Sequence, residues 1–164
     1  MKNYKILFVC LGNICRSPMA EYVLRHLAQE NGVGDRISVQ SAGTSGWHNG
    51  ENMHRGTAAI LKRNGIKPTG FTSSKVHAED AEDYDFIIAM DDNNIGDLKN
   101  LIRFDPAQTF KITDLIPELG YPLVPDPYFT GDFDETYRLV SAGSHALLAK
   151  LGLSTLSEEV NLSA

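Results

Sequence analysis

One short segment, Cys10-Leu11-Gly12-Asn13-Ile14-Cys15-Arg16-Ser17, gathers the residue types best suited to chemistry. It follows the unbroken apolar run Ile6-Leu7-Phe8-Val9 and ends at Ser17-Pro18, a hydroxyl at an expected N-cap with proline at the first helical position. The segment therefore joins the end of a buried strand to the start of a helix. The first helical turn presents unpaired N–H groups and the positive end of the helix dipole. Gly12 is expected to let the loop curl so that further N–H groups converge on one centre. Such a centre fits a phosphate. The same dipoles favour a thiolate, so Cys10 is expected to attack as S⁻. Arg16 brings a planar fork that matches two phosphate oxygens, a geometry lysine lacks. The Ser17 hydroxyl can donate to the thiolate when it leaves.

A cysteine ending an apolar strand is, taken alone, an ordinary core residue. Arginine six places on, followed by serine in a strand-loop-helix context, is what favours the chemical reading. A Walker-type loop is excluded, because it needs Gly-Lys-Ser/Thr at the helix start. No metal is expected: a zinc site needs more Cys or clustered His, and the histidines at 26, 48, 54, 77 and 145 have no ligand-like spacing with the two cysteines. Those histidines are expected on the surface.

The elements that must hold this loop alternate. Strands are expected at residues 6–10, 37–41, 86–90 and, more weakly, 110–112. Helices are expected from Ser17 to before Gly32, from about 54 to 64 with Gly65 as C-cap, after a capping Asp91, and from 132 to about 151. Residues 116–128, with Pro117, Pro122, Pro125 and Pro127, read as a long irregular loop, and the tail from Gly152 onward as frayed. Alternating strands and helices imply an α/β fold: one domain over residues 1–164, with a central four-stranded parallel sheet and helices on both faces. Ligands of such sheets bind beyond the C-terminal strand ends, where Cys10, Ser41 and Asp91 emerge.

Composition narrows the function classes. A chain of 164 residues, 42% hydrophobic and 22% charged, can bury a core without staples. A net charge of −6 argues against a nucleic-acid partner. No apolar run approaches the roughly twenty residues that span a bilayer, and no export signal is evident, so no membrane partner and a cytoplasmic location are expected. The sequence carries no signature of oligomeric state.

On two motifs the sequence resembles the low-molecular-weight protein tyrosine phosphatase family over essentially its whole length. Residues 10–18 match the family's phosphate-binding loop, and Val124-Pro125-Asp126-Pro127-Tyr128 its general-acid loop. The resemblance implies hydrolysis of phosphotyrosine in protein substrates through a cysteinyl-phosphate on Cys10, without cofactor. Arg16 would bind phosphate together with the loop Leu11, Gly12, Asn13, Ile14, Cys15 and Ser17. Asp126 would act as general acid and then base, although by residue type alone it reads as a turn residue before proline. Trp47, Tyr128 and Phe129 resemble the aromatic walls that sandwich the substrate ring. Asn13 and Ser41 resemble bracing residues behind the loop. Cys15 resembles the family's second thiol, able to form a reversible disulfide with oxidised Cys10, or else a packed thiol. Two departures stand out: Met53-His54-Arg55 where many relatives carry Asp-Pro-Arg, and Phe129 in place of a second tyrosine. Arsenate reductases of the same fold are the alternative enzyme. Those that relay electrons through later cysteines do not match, since this chain has none after Cys15, but a glutathione- or mycothiol-coupled variant would, and arsenate turnover with thiol donors decides it. A phosphotyrosine-binding module would need neither nucleophile nor acid.

Overall fold

β1, Tyr4–Cys10, is apolar at successive positions because both of its faces are covered. Ile6, Phe8 and Cys10 point to one side, and Leu7 and Val9 to the other. In this computed structural model, which describes residues 2–154, all five are buried. β2 (Ile37–Gly43) and β3 (Phe86–Ala89) flank β1, and β4 (Thr109–Lys111) completes a parallel sheet of order β2-β1-β3-β4.

Helices cover both faces. On the Phe8 side lie α1 (Arg16–Glu30), with Met19, Val23 and Leu24, and α6 (Phe133–Lys150), with Leu139, Val140 and Leu147; α2 (Arg55–Arg63) joins them through Ile60 and Leu61. The Leu7 side is closed by Leu98 of α4 (Asp92–Leu101) and by Ile102 just beyond it, with Ala81 of the single-turn α3 (Asp80–Asp83) packed alongside. A further single turn, α5 (Pro127–Thr130), precedes α6. Each fully buried large apolar side chain contributes about 1.5–3 kcal/mol, so positions such as Phe8, Leu24 and Ile88 hold the layers together. No helix among the described residues is long and apolar enough to cross a membrane.

The strand order explains where a ligand can bind. From β1 the chain first crosses to β2 on one side and later returns to β3 on the other, so a crevice opens beyond the C-terminal ends of β1 and β3. Cys10 ends β1, and Asp91 follows β3 and caps α4 with a reciprocal box involving Asn94.

Four expectations need correction. The N-cap of α1 is Cys15, not Ser17, because the Ser17 hydroxyl is bound to the Cys10 sulfur instead. Asn13 takes the left-handed conformation, at φ 55°, and not Gly12. Residues 116–128 are not wholly irregular: a 3-10 turn at Pro117–Leu119 and the start of α5 interrupt them, each using a proline near its first position. The chain does not fray at Gly152, since Leu153 and Ser154 are buried and Leu153 joins the core; residues 155–164 lie outside the described part.

Candidate active site

Cys10 leaves the sheet buried, and the loop that follows is held from outside by its carbonyls. Cys10 O accepts from the Thr44 N–H at 2.9 Å, and Leu11 O from both the N–H and Oγ of Ser45, each at 3.0 Å. Asn13 O accepts from Ser73 Oγ at 2.6 Å, Ile14 O from the His54 N–H at 2.8 Å, and Cys15 O from Thr57 Oγ1 at 3.0 Å. In a trans peptide the carbonyl and the next N–H point in opposite directions, and no described peptide bond is cis. The N–H groups of Leu11, Gly12, Ile14, Cys15 and Arg16 are thereby turned away from these partners, toward the cup the loop encloses. An anion in that cup meets converging dipoles at the start of α1.

Asn13 locks the cup from behind. Its side-chain Nδ2 donates to Ser17 Oγ at 2.9 Å and to Ser41 Oγ at 3.0 Å, and its Oδ1 accepts from the Ser74 N–H at 2.9 Å. Asn13 supplies the proton in its contact with Ser17, which leaves the Ser17 hydroxyl hydrogen for Cys10 Sγ, 3.0 Å away. Ser41 in turn donates to Glu21 Oε1 at 2.6 Å, and the buried Glu21 carboxylate is paired with Arg25 at 2.7 Å. Gly43 and Gly12 are small for contact reasons. A Cβ on Gly43 would lie 2.8 Å from Leu11 O, and one on Gly12 3.0 Å from His48 Cδ2.

Arg16 is buried at the floor. Nη1 donates to Asp91 Oδ2 at 2.7 Å and to Val124 O at 3.0 Å, while Nη2 reaches Asp126 Oδ2 at 3.4 Å. Burial works against the guanidinium charge, but the Cys10 sulfur, the hydrogen bond to Asp91 and the Asp126 carboxylate outweigh it and push its pKa up. Cys15, the second loop thiol, is pushed up to about 12, first by burial and then by the negative charges of Cys10 and Asp126. Both thiols are free.

Asp126 is placed by its own local fold. It is the N-cap of α5, with Oδ1 accepting from the Tyr128 N–H at 3.1 Å and Pro127 at N1, and the Val124 N–H binds Met90 O at 2.9 Å just beyond β3. Its carboxylate, with Oδ2 toward Arg16, lines a cleft of about 190 Å³ that is also lined by Cys10, Arg16, Trp47, His48, Tyr128 and Phe129. Trp47, Tyr128 and Phe129 are 75%, 59% and 79% exposed, an unusual state for large aromatics that leaves ring surface open to a flat ligand.

The structure thus brings Cys10, Leu11, Gly12, Ile14, Cys15, Arg16, Asp126 and the three aromatics around one cleft, with Asn13, Ser17 and Ser41 behind it. Sequence reasoning missed the Arg16–Asp91 pair, having assigned Asp91 only as a cap at the right end of the sheet. It also missed His48 in the cleft wall, His54 beside Tyr128, and Gly43. The histidines gave no signal, because neither spacing nor hydropathy distinguishes them from surface residues. Among the described residues no cluster of three or more His, Cys, Asp or Glu is gathered for a metal ion.

Fold and cleft together define a phosphatase that works through a cysteine. Residues 5–160 match the family described as low molecular weight phosphotyrosine protein phosphatase, and the chain belongs to that family. It is 45% identical over 147 residues to the low molecular weight protein-tyrosine-phosphatase YfkJ of Bacillus subtilis, an alignment covering 89% of this chain and 94% of the relative. The crystal structure of YfkJ superposes with a TM-score of 0.89 at 42% identity, covering 93% of this chain and 96% of the other. PtpA of Staphylococcus aureus is 38% identical over 143 residues, covering 87% and 90% of the two chains. The structure of the low molecular weight protein tyrosine phosphatase of Streptococcus pyogenes gives a TM-score of 0.79 at 37% identity, covering 97% and 98%.

Proposed function

We propose that the chain, as one phosphatase domain, hydrolyses phosphotyrosine in protein substrates, with Cys10 as nucleophile, Arg16 as phosphate clamp and Asp126 as general acid and then base. The observation that carries this reading is the convergence on one cup of a sulfur with a hydroxyl donor, a buried guanidinium and a carboxylate.

Two displacements at phosphorus complete a turnover. In the first, the Cys10 thiolate forms the P–S bond, the bond from phosphorus to the tyrosyl oxygen breaks, and Asp126 gives its proton to that oxygen. In the second, Asp126 takes a proton from water, the water oxygen bonds to phosphorus, and the P–S bond breaks. Ser17 donates to the sulfur as its charge returns. Inward N–H groups and Arg16 hold the equatorial oxygens throughout, the task in which preorganised donors contribute most. Leu11, Gly12, Asn13, Ile14 and Cys15 supply or brace that cradle. Trp47, Tyr128 and Phe129 sandwich the phenyl ring.

We also infer that Cys15 resolves oxidised Cys10. Peroxide converts the Cys10 thiolate to a sulfenic acid, which removes one of the charges that hold Cys15 protonated. Attack by the Cys15 sulfur then forms the disulfide and releases water. Two unpaired cysteines, one of them the nucleophile, persist most readily where thiols are kept reduced, which supports a cytosolic location.

Release of phosphate from p-nitrophenyl phosphate tests the central reading. Turnover by the wild type, loss of it in Cys10→Ser and a fall of roughly a hundredfold or more in Asp126→Asn are expected. Full activity in Cys10→Ser overturns the mechanism.

A further inference from the structure

His54 occupies a junction that the proposed chemistry leaves unused. Its backbone N–H holds Ile14 O of the phosphate loop at 2.8 Å, and its Nδ1 accepts from the Gly56 N–H at 2.9 Å, which makes it the N-cap of α2. The ring then reaches across to the acid loop. It stacks on Phe133 with centroids 5.0 Å apart and planes at 27°, and meets Tyr128 edge to face at 6.2 Å and 80°. Gly56 allows this approach, since a Cβ there would lie 2.5 Å from the Phe133 ring. Tyr128 in turn packs edge to face on Phe129 at 5.3 Å, and its N–H binds Asp126.

One residue therefore fixes two things at once: its main chain sets a phosphate-loop carbonyl, and its ring backs one wall of the cleft. The Asx-type residues usual at an N-cap satisfy the first turn of a helix but carry no ring. Histidine does both, with Nδ1 as acceptor and the remaining ring edge free to pack.

We propose that His54 is a positioning residue that sets the Tyr128 wall relative to the phosphate cup, and so orients the aryl group of the substrate. The proposal rests on the phosphatase reading above and deepens it. Tyr128 is otherwise more than half exposed, and its ring packs against those of His54 and Phe129. Without the ring of His54, the tyrosine keeps its main-chain bond to Asp126 but loses its backing.

Two substitutions separate ring from cap. His54→Asn keeps a side-chain acceptor for the Gly56 N–H and removes the ring; His54→Phe keeps a ring and removes the acceptor. With p-nitrophenyl phosphate, His54→Asn is expected to raise KM roughly threefold to tenfold, the range an aromatic contact spans. Its competitive Ki for inorganic phosphate, which has no ring to sandwich, stays within about twofold of wild type. In a Tyr128→Ala background His54→Asn adds no further rise in KM. His54→Phe keeps KM and lowers the melting temperature. Four results overturn the proposal: equal rises in KM and phosphate Ki, an undiminished effect in the Tyr128→Ala background, a rise in KM in His54→Phe as large as that in His54→Asn, or Tyr128 ring resonances that do not move in His54→Asn. The last needs no turnover. Wild-type protein that binds phosphate but cleaves no aryl ester removes the phosphatase reading instead.

Discussion

Arg16 Nη1 donates to Asp91 Oδ2 at 2.7 Å, while the other oxygen of the same carboxylate accepts the Asn94 N–H at 2.8 Å and caps α4. One side chain thus joins the end of β3 to the arginine at the start of α1, across the crevice between β1 and β3. Asp91→Asn retains the capping oxygen and removes the charge that faces a buried guanidinium. The expected result is a loss of about 1–3 kcal/mol in urea unfolding and a drop of roughly tenfold in kcat/KM as the fork loses its fixed orientation. A fully active, equally stable variant would show that Val124 O and Asp126 suffice to hold Arg16.

Burial and two nearby negative charges push the Cys15 thiol up to about 12, so at neutral pH it stays protonated. Alkylation depends on the thiolate. Iodoacetate at pH 7 is therefore expected to label Cys10 alone, with stoichiometry near one by mass spectrometry of the folded protein, and inorganic phosphate in the cup should slow that labelling. Labelling of Cys15 at a comparable rate would contradict the burial that holds its thiol protonated.

The same shift has a consequence for stability in alkali. A thiol whose pKa is raised from 9.0 to about 12 on folding holds its proton more tightly in the folded chain. Its stabilising contribution is complete below pH 9 and is lost as pH rises toward 12, because only the unfolded chain releases the proton in that interval. Tyr22 and Tyr84, both raised first by burial, act in the same direction. Cys15→Ser should flatten part of the decline of unfolding free energy between pH 9 and pH 11. An unchanged slope would assign the decline to the tyrosines.

Much of this architecture was legible because the relevant signals are local. Ile6 to Val9 and Phe86 to Ala89 are apolar without alternation, which marks strands covered on both faces, and Asp91 and Asp132 cap the helices expected after them. Cys10 and Arg16 sit in one short loop, so their residue types could be read together, whereas Asp126, a turn residue by type, was assigned through the family resemblance. What escaped depends on contacts between distant segments. Nothing near Asp91 shows that Arg16, 75 positions earlier, will bind it. Ser17 followed by proline has the local look of a cap, yet it lies inside α1 and its hydroxyl binds the Cys10 sulfur. Gly12 looked like the turn residue, but asparagine tolerates left-handed backbone when its side chain is bound, and Asn13 has three such bonds. Leu153 lies beyond the last helix and enters the core, although its neighbours read as tail.

Asn13 invites a test that separates backbone strain from lost hydrogen bonds. Alanine and glycine both remove the bonds to Ser17, Ser41 and Ser74, but only glycine accepts φ 55° without penalty. Asn13→Ala is expected to be less stable than Asn13→Gly by about 1 kcal/mol, the reverse of their usual order. Both should lose activity, because the Ser17 hydroxyl is no longer oriented toward Cys10. Paired denaturant titrations give the stability order directly. If alanine is the more stable of the two, the loop has relaxed to another conformation and the left-handed turn is not required.

Gly43 offers the sharpest probe of the outer support of the cup. It ends β2 opposite Cys10, and an added Cβ would lie 2.8 Å from Leu11 O and 2.9 Å from Ser45 O, both backbone atoms that cannot rotate aside. Leu11 O is also the acceptor for two Ser45 donors, so displacing it turns the Leu11–Gly12 peptide and moves an N–H that faces the anion. Gly43→Ala should therefore leave the sheet intact by circular dichroism while raising the Ki for inorganic phosphate and lowering kcat/KM by about tenfold or more. Cys10, Arg16 and Asp126 remain unaltered in sequence in this variant, so any loss measures how far the N–H cradle, apart from those three side chains, carries binding. Retention of wild-type phosphate affinity would mean that the loop accommodates the shift, and that its carbonyl anchors on the β2 side are dispensable.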